Sequence, residues 1–403
     1  MSIWGPLSNR YETKQPRKIL SLDGGGIRGV LTLEILFELE KQLKAELKKD
    51  DTFRLSDYFD YIGGTSTGAI IAAGLSLGMS VQQLLDFYEQ KGEAMFDKAF
   101  LLKRVKYFYN DGPLLKELKN TFGDGDIDVK SGAFKTLLLV VTMNRSTDSP
   151  WPINNNPNAK YNEQTRLDCN LRIPLYQLVR ASTAAPAYFR PETLQWDPKN
   201  PEKTFVFVDG GVTPYNNPAF LMYRMATQQP YGLNWKTGEK ELLIVSVGTG
   251  SAPSPGTYDN LLETLKELPN NLMYAMQVDQ DINCRTVGRC IYGAPIDREM
   301  GDMIPLDKDN KILDLDSDAS RHFSYVRYNA NLSDEGLEDL GLGHIDSDEV
   351  RQMDSVKYIP ELREVGKTAG QKQVKVKSIL EILFNKRYYK YNRCIIQSYL
   401  QDI

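Results

Sequence analysis

The 403-residue chain has few of the residues that build disulfide frameworks, zinc sites and histidine-based catalytic centres. It contains four cysteines, with no C-x-x-C spacing, and two histidines, His322 and His344. Sparse cysteines argue against a disulfide-stapled or zinc-bound protein and fit a reducing, cytoplasmic setting. Both histidines lie in an acidic, loop-rich region, which predicts that they are surface residues and leaves a carboxylate as the expected base of any nucleophile.

Long apolar runs and an excess of one charge are also missing. No run reaches the roughly 18 apolar residues that a membrane-spanning helix needs, so any work on lipid is predicted to be peripheral. The first 18 residues are polar, without the apolar stretch of a signal peptide. The net charge of −4 does not favour a nucleic acid polymer as partner. With 41% hydrophobic residues, the composition is that of an ordinary globular protein.

The first 250 residues alternate between strand-like and helix-like patterns. Strands are predicted at residues 18–22, 58–62, 136–141, 205–208 and 242–247, with helices among them at 81–95 and 175–181. Near-continuous apolar strands indicate a sheet covered on both faces, which predicts an α/β fold. Past residue 250 the chain becomes loop-rich, beginning with Pro253, Pro255 and Gly256. We therefore predict a core at 17–250 and a cap or regulatory region at 251–403, packed on that core.

One serine stands between a predicted strand and a predicted helix in the pattern G-x-S-x-G. Residues 64–68 read Gly-Thr-Ser-Thr-Gly, which places Ser66 on the sharp turn that presents a hydrolase nucleophile. The same pattern recurs around Ser76, but there it falls inside the following helix, with Gly78 suited to end that helix. The context favours Ser66 as the nucleophile and Ser76 as a packed helical residue.

A serine hydroxyl needs a neighbouring base to become nucleophilic. Asp209 directly follows the apolar run at 205–208 and precedes Gly210 and Gly211. Ligand sites of open α/β sheets lie beyond the carboxyl ends of the strands, so Asp209 and Ser66 are predicted to converge there. Apolar neighbours would raise the basicity of Asp209 by desolvation.

A glycine-rich loop, Asp-Gly-Gly-Gly-Ile-Arg-Gly at residues 23–29, follows the first predicted strand. It fits the dinucleotide-binding pattern G-x-G-x-x-G, but the second strand lacks the acidic residue that would hold a ribose. The favoured interpretation is an oxyanion hole built from the backbone N–H groups of Gly24, Gly25 and Gly26. Arg28 is expected to orient this loop or to meet an anionic head group, and a structural salt bridge is the alternative.

The loop at 23–29, the elbow at 64–68 and the Asp-Gly-Gly turn at 209–211 occur in the order found in patatin-like phospholipases. The segment Ala-Ser-Thr-Ala-Ala-Pro at 181–186 also looks like that family's sequence ahead of its last motif. The chain therefore resembles the patatin-like phospholipase family over roughly residues 17–250.

The resemblance implies a three-layer α/β/α hydrolase fold with a mostly parallel central sheet and C-terminal decorations. It implies a phospholipase A-type ester hydrolase that needs neither metal nor other cofactor. The implied site residues are a Ser66–Asp209 dyad and an oxyanion site of Gly24, Gly25, Gly26 and Arg28.

The chain also resembles, in size and layout, bacterial members that act in antiphage defence and are switched on by cyclic dinucleotides. A cyclic dinucleotide activator, a phospholipid surface as partner and a peripheral place at the inner membrane are therefore expectations, and a homo-oligomer is left open. The alternatives are a constitutive acyl hydrolase and a non-catalytic lipid-binding protein. Basic residues of the tail would contact anionic lipid or nucleotide, or belong to an ordinary helix. They are Lys372, Lys375, Lys377, Lys386, Arg387, Lys390 and Arg393.

Overall fold

The computed structural model describes residues 2–96, 112–186, 189–197, 199–251, 261–294, 296, 321–354 and 356–383. The strands are β1 (Arg17–Leu22), β2 (Tyr61–Thr65), β3 (Leu137–Asn144), β4 (Ser149–Asn154), β5 (Glu192–Asp197), β6 (Asn200–Asp209), β7 (Leu242–Val247), β8 (Arg289–Tyr292) and β9 (Ser324–Tyr328). The helices are α1 (Ser8–Tyr11), α2 (Gly29–Glu46), α3 (Leu55–Tyr58), α4 (Thr67–Ser76), α5 (Val81–Phe96), α6 (Gly112–Phe122), α7 (Leu175–Ser182), α8 (Ala219–Thr227), α9 (Leu261–Val287), α10 (Asp334–Leu340), α11 (Ser347–Val350), α12 (Ile359–Gln373) and α13 (Val376–Leu383).

Within the described ranges these strands form one sheet in the order β5-β6-β3-β2-β1-β7-β9-β8, with β4 paired to β3 off this path. The pairs from β3 through β2, β1, β7 and β9 to β8 are parallel, whereas β6 and β5 continue the sheet antiparallel. The predicted α/β class with a mostly parallel sheet is confirmed. β1 lies centrally between β2 and β7, so the loop that follows it opens at the carboxyl edge, where ligand sites of such sheets are found.

The strands bury both faces because their side chains alternate between two apolar clusters. In β3, Leu138 and Val140 belong to one cluster, while Leu137, Leu139 and Val141 belong to the other. Helices α2, α4, α5 and α7 cover the first face, and α8 covers the second. The continuous apolar runs of the sequence are explained by this burial on both sides.

Most predicted elements are present, with displaced ends. The strand at 242–247 has the predicted bounds, but β2 begins at Tyr61 rather than at residue 58 because residues 55–58 form a helical turn. β3 extends past the predicted end to Asn144, where it pairs with β4 and β6. Ser76 ends α4 as predicted, and Gly78 follows it with a φ of +88°.

Residues beyond 250 supply two strands of the same sheet as well as helices on its surface. β9 pairs in parallel with β7, and α12 packs on α2, where a Cβ atom at Gly366 would lie 2.6 Å from the Leu31 carbonyl oxygen. In the tail, Ile379 and Leu380 of α13 are buried, as an ordinary amphipathic helix requires. The predicted linker residues Pro253, Pro255 and Gly256, and Lys386, Arg387, Lys390 and Arg393 of the tail, lie outside the described residues.

Candidate active site

Ser66 occupies a strained turn between β2 and α4, with φ of +55° and ψ of −122°. A non-glycine residue in this conformation costs free energy, and such strain is concentrated at functional sites. The flanking glycines allow the turn, since a Cβ atom at Gly64 would overlap the Gly68 carbonyl and one at Gly68 would overlap the Leu22 carbonyl. The two glycines of the G-x-S-x-G pattern around Ser66 thus reflect backbone crowding, within the turn at Gly64 and against the end of β1 at Gly68.

The Ser66 hydroxyl donates a 2.6 Å hydrogen bond to Asp209 Oδ2. Asp209 ends β6, and its Oδ1 accepts the Gly211 N–H at 2.6 Å. The structure therefore brings together the two residues that the sequence placed at the carboxyl edge of the sheet. His322 and His344 are both exposed; the first lies 2.6 Å from the Tyr223 hydroxyl and the second 3.6 Å from Glu364.

The segment at 181–186 forms hydrogen bonds with the backbones of both Ser66 and Asp209. The Ser66 N–H donates to Ser182 Oγ at 2.9 Å, and the Ser182 hydroxyl donates to the Val141 carbonyl at 2.6 Å. The Asp209 N–H donates to the Ala184 carbonyl at 3.0 Å. Ser182 and Ala184 are two residues apart in the chain, so a single segment positions the backbones of both Ser66 and Asp209.

Burial changes the acid–base behaviour of the carboxylate. Desolvation raises the pKa of Asp209 to about 6, although the hydrogen bonds from Ser66 and Gly211 and the charge of Arg180 oppose the shift. A carboxylate with this pKa is still mostly ionised at neutral pH, yet it is a stronger base than an exposed one.

The glycine loop presents two of its three predicted donors to the site. The Gly24 N–H already donates to the Asn216 carbonyl at 3.1 Å, which removes Gly24 from the predicted set of oxyanion donors. Gly25 and Gly26 line the cavity above Ser66, and their N–H groups have no acceptor among the described residues. Gly26 has a φ of +61° and lies against the Met353 carbonyl, where a side chain would overlap that oxygen.

Arg28 lies behind the loop, half-buried and pointing to carbonyl groups. It donates to the Arg351 carbonyl at 3.3 Å and to the Gly25 carbonyl at 3.5 Å. Burial, together with the nearby charge of Arg351, lowers the pKa of Arg28 to about 10. Its contacts suit the orienting role that the sequence suggested more than the direct oxyanion contact or the salt bridge.

A buried ion pair under the loop was not foreseen. Asp23, fully buried, accepts two hydrogen bonds from Arg327 of β9, at 2.9 and 2.5 Å, and Arg327 also donates to Ser246 at 2.7 Å. Arg327 comes from the C-terminal third, 304 residues from its partner. The one available signal was a charged residue directly after the apolar run of β1, where a carboxylate is buried only with a partner.

A cavity of about 540 Å³ opens above Ser66 and Asp209, within the size range of small-molecule sites. Its walls are largely apolar, with Leu272, Met273 and Met276 from α9, and Leu272 and Val212 are about half exposed. Asn216 also lines it and was missed in the sequence, where two asparagines before a proline after the Asp-Gly-Gly turn were the available signal. In the described part of the chain, no group of three or more His, Cys, Asp and Glu residues is placed to hold a metal ion.

Comparison with known proteins agrees with the motifs. Residues 20–223 match the family model described as patatin-like phospholipase. The chain is 32% identical over 261 residues to the cGAMP-activated phospholipase of Vibrio cholerae serotype O1, covering 60% of this chain and 67% of that protein. It is 30% identical over 247 residues to Patatin-T5 of Solanum tuberosum, covering 58% of this chain and only 60% of that relative's length. The predicted family resemblance is confirmed.

Solved structures resemble the chain more distantly. Human GIVD cytosolic phospholipase A2, in complex with methyl gamma-linolenyl fluorophosphonate, aligns with a TM-score of 0.42 and 13% identity over 94% of this chain and 62% of that one. VipD from Legionella pneumophila aligns with a TM-score of 0.38 and 14% identity over 92% of this chain and 67% of that one. These scores add nothing to the sequence match. None of the helices described is both long enough and apolar enough to span a bilayer.

Proposed function

Because the chain belongs to the patatin-like phospholipase family, we propose that it releases fatty acids from membrane phospholipids, with Ser66 as nucleophile and Asp209 as base. The observation that carries the proposal is the 2.6 Å hydrogen bond between Ser66 Oγ and Asp209 Oδ2 at the bottom of a largely apolar cavity. A hydroxyl bonded to a desolvated carboxylate is poised to lose its proton as it attacks a carbonyl carbon.

In the first half of the reaction, Ser66 Oγ attacks the acyl carbonyl and its proton passes to Asp209. The oxyanion that develops is stabilised by the N–H groups of Gly25 and Gly26, and each such donor is worth roughly 3–4 kcal/mol in the transition state. Arg28 acts as a positioning residue through its bond to the Gly25 carbonyl. Protonated Asp209 then gives its proton to the departing alcohol, which leaves an acyl-serine.

The substrate enters from a lipid surface. Leu272 and Val212 line the cavity with 53% and 48% of their surface exposed, so apolar side chains stand at its opening. Such exposed apolar side chains around a pocket favour contact with lipid. We place the active enzyme at the periphery of the inner membrane, on its cytoplasmic side.

The test is release of fatty acid from mixed phospholipid vesicles. Wild-type protein should release it, whereas Ser66→Ala should lose at least about 1,000-fold in rate, because the nucleophile of the dyad is gone. Ser76→Ala is the matched control, with the same substitution in the second copy of the pattern, and should retain the wild-type rate. A folded Ser66→Ala protein with full activity would overturn the assignment.

We also propose that a cyclic dinucleotide activates the enzyme and that this activation serves antiviral defence. The support is the 32% identity to a relative that is named for its activation by cGAMP. Vesicle hydrolysis should then rise only when one compound of a cyclic dinucleotide panel is added. Full activity of wild-type protein without any addition would identify a constitutive hydrolase instead. Binding of lipid with no fatty acid released under any condition would identify a non-catalytic lipid-binding protein.

A further inference from the structure

Asn216 lies between the glycine loop and the Asp-Gly-Gly turn and is 1% exposed. Its backbone carbonyl accepts the Gly24 N–H at 3.1 Å, and its side-chain Nδ2 lies 3.5 Å from the Gly24 carbonyl oxygen. The second of these contacts sets the orientation of the side-chain carboxamide, because the reversed orientation would place two oxygen atoms against each other. The amide oxygen Oδ1 therefore points away from the Gly24 carbonyl.

That oxygen is buried and has no hydrogen-bond donor among the described residues. It lies beside the reacting groups, since a Cβ atom at Gly211 would be 3.1 Å from Asn216 Oδ1 and 3.0 Å from Asp209 Oδ1. The two oxygens are thus no farther apart than the sum of those distances. One water molecule that donates to both oxygens bridges about 4–5 Å, which lies within that limit. Asn216 also lines the cavity that contains Ser66.

We propose that Asn216 Oδ1 orients the water molecule that hydrolyses the acyl-enzyme, a role that rests on the proposed Ser66–Asp209 dyad. A buried, unsatisfied acceptor in a polar corner is a place for a bound water, which needs two or more polar partners. Water has two protons to donate: one goes to the Asp209 carboxylate and the other to Asn216 Oδ1. Its lone pair is then directed at the acyl carbon.

The step balances without another reactant. The water oxygen forms a bond to the acyl carbon as its proton moves to Asp209, and the bond from that carbon to Ser66 Oγ breaks. Asp209 returns the proton to Ser66 Oγ, and the fatty acid leaves. In the preceding half-reaction, by contrast, Ser66 bonds directly to Asp209 at 2.6 Å, so acylation does not need Asn216.

This difference gives a test in which the competing nucleophile is methanol. Methanol has one O–H, which it donates to Asp209, so Asn216 cannot orient it as it orients water. With a p-nitrophenyl fatty ester and added methanol, Asn216→Ala should lower hydrolysis of the acyl-enzyme about 10- to 100-fold, as misplacement of a reactant does. Methanolysis should change little, so the ratio of methyl ester to fatty acid should rise by a similar factor.

The same variant should release a burst of p-nitrophenol equal to the number of active sites, and the acyl group on Ser66 should be visible in the intact mass. Asn217→Ala is the matched control. Asn217 is also fully buried, but its Oδ1 accepts from Ser21, Ser246 and the Ala219 N–H rather than lining the cavity. It should lose thermal stability and keep the wild-type product ratio. Asn216→Ser, which keeps a smaller acceptor, should lie between wild type and Asn216→Ala, and it carries the test if the alanine variant does not fold.

An unchanged product ratio in a folded Asn216 variant would overturn the proposal. Labelling of Ser66 by a fluorophosphonate probe measures the first half of the reaction. If this labelling fell in parallel with turnover in the variant, the proposal would also be overturned, because Asn216 would then serve only the geometry of the glycine loop. Failure of the dyad itself looks different: wild-type protein would then give neither labelling nor a p-nitrophenol burst.

Discussion

Two segments of this chain carry the pattern G-x-S-x-G, and the structure gives them different surroundings. Ser66 occupies a strained turn, and its hydroxyl lies 2.6 Å from the buried carboxylate of Asp209. Ser76 is fully buried as the last residue of α4 and does not line the cavity. Both segments contain glycines whose Cβ positions are occupied by neighbouring atoms. Only the first segment has, beside its serine, an aspartate and backbone N–H groups without acceptors among the described residues. The pattern alone therefore describes a turn that can be tight, and the neighbours decide whether it is catalytic.

The largest expected effect comes from removing the proposed base, the Asp209 carboxylate that lies beside Ser66 and not beside Ser76. Asp209→Asn should lower the rate of fatty-acid release about 1,000- to 10,000-fold, because an amide cannot accept the serine proton. His322→Ala and His344→Ala should each keep the wild-type rate. Equal loss in a histidine variant, in the same vesicle assay, would refute the dyad.

The two patterns should also differ in how they tolerate a methyl group. Gly68→Ala places a Cβ atom against the Leu22 backbone, whereas Gly74→Ala meets the end of the Leu84 side chain at 2.6 Å. We expect Gly68→Ala to lower activity at least about 100-fold through displacement of the elbow. Gly74→Ala should stay near wild type, since the gain in helix propensity of about 1 kcal/mol offsets a small repacking. Similar losses in both variants, measured with melting curves, would remove the distinction.

A third effect concerns the ion pair that holds the glycine loop from below. Arg327→Met leaves Asp23 buried without its partner, so the free energy of unfolding should fall by about 3–5 kcal/mol. We expect kcat to fall about 100-fold with little change in KM, because the oxyanion donors shift. The control is Arg363→Gln. Arg363 also belongs to the C-terminal third, and it forms a half-buried 2.6 Å ion pair with Glu34 of α2. If both variants lost kcat equally, the Asp23–Arg327 ion pair would affect activity only through the packing of the C-terminal third.

The smallest effect is the response to pH. Asp209 must be ionised to accept a proton, so kcat/KM should fall about tenfold per pH unit below its pKa of about 6. Stability follows the opposite sign: the folded-state pKa exceeds the unfolded value of 3.8. Protonated Asp209 therefore adds to the free energy of unfolding in full below pH 3.8, and this contribution is lost as the pH rises through about 6.

Asp209→Asn, which carries no charge to desolvate, should consequently be more stable than wild type at pH 7, by about 1–3 kcal/mol, and not at pH 4. Thermal melts at the two pH values measure this difference. An acid limb of kcat/KM near pH 4 instead of 6 would mean that Asp209 is less desolvated than its burial indicates.

Local chemistry made much of the site predictable. Ser66 follows β2 and Asp209 ends β6, so their meeting was predicted from the rule that ligand sites lie at the carboxyl ends of strands. The structure reaches it by another route, because β6 is antiparallel to β3 and pairs Asp209 with Thr142, near the carboxyl end of β3. The oxyanion set was predicted less well. Gly24 has the same sequence context as Gly25 and Gly26, yet its N–H is used by the Asn216 carbonyl. Such a loss depends on a contact across 192 residues of the chain, which periodicity and motif spacing do not encode.

The C-terminal third, predicted as a cap or regulatory region packed on a core, contributes to the sheet and to the glycine loop as well as to the surface. β9 adds a strand beside β7, Arg327 anchors the glycine loop, and the Met353 carbonyl accepts the Ile27 N–H at 2.9 Å. Short strands such as β8 and β9, each of four or five residues, carry too few alternating positions to stand out in a loop-rich sequence.

The sequence by itself determined the α/β class, the family, the elbow and the carboxylate that ends β6, because each depends on residues adjacent in the chain. Tertiary structure decided which glycine N–H groups remain available. It also decided that Arg327 neutralises Asp23, and it placed Asn216 Oδ1 beside Asp209. These outcomes depend on burial and on partners far apart in the chain, where desolvation makes each polar contact matter most.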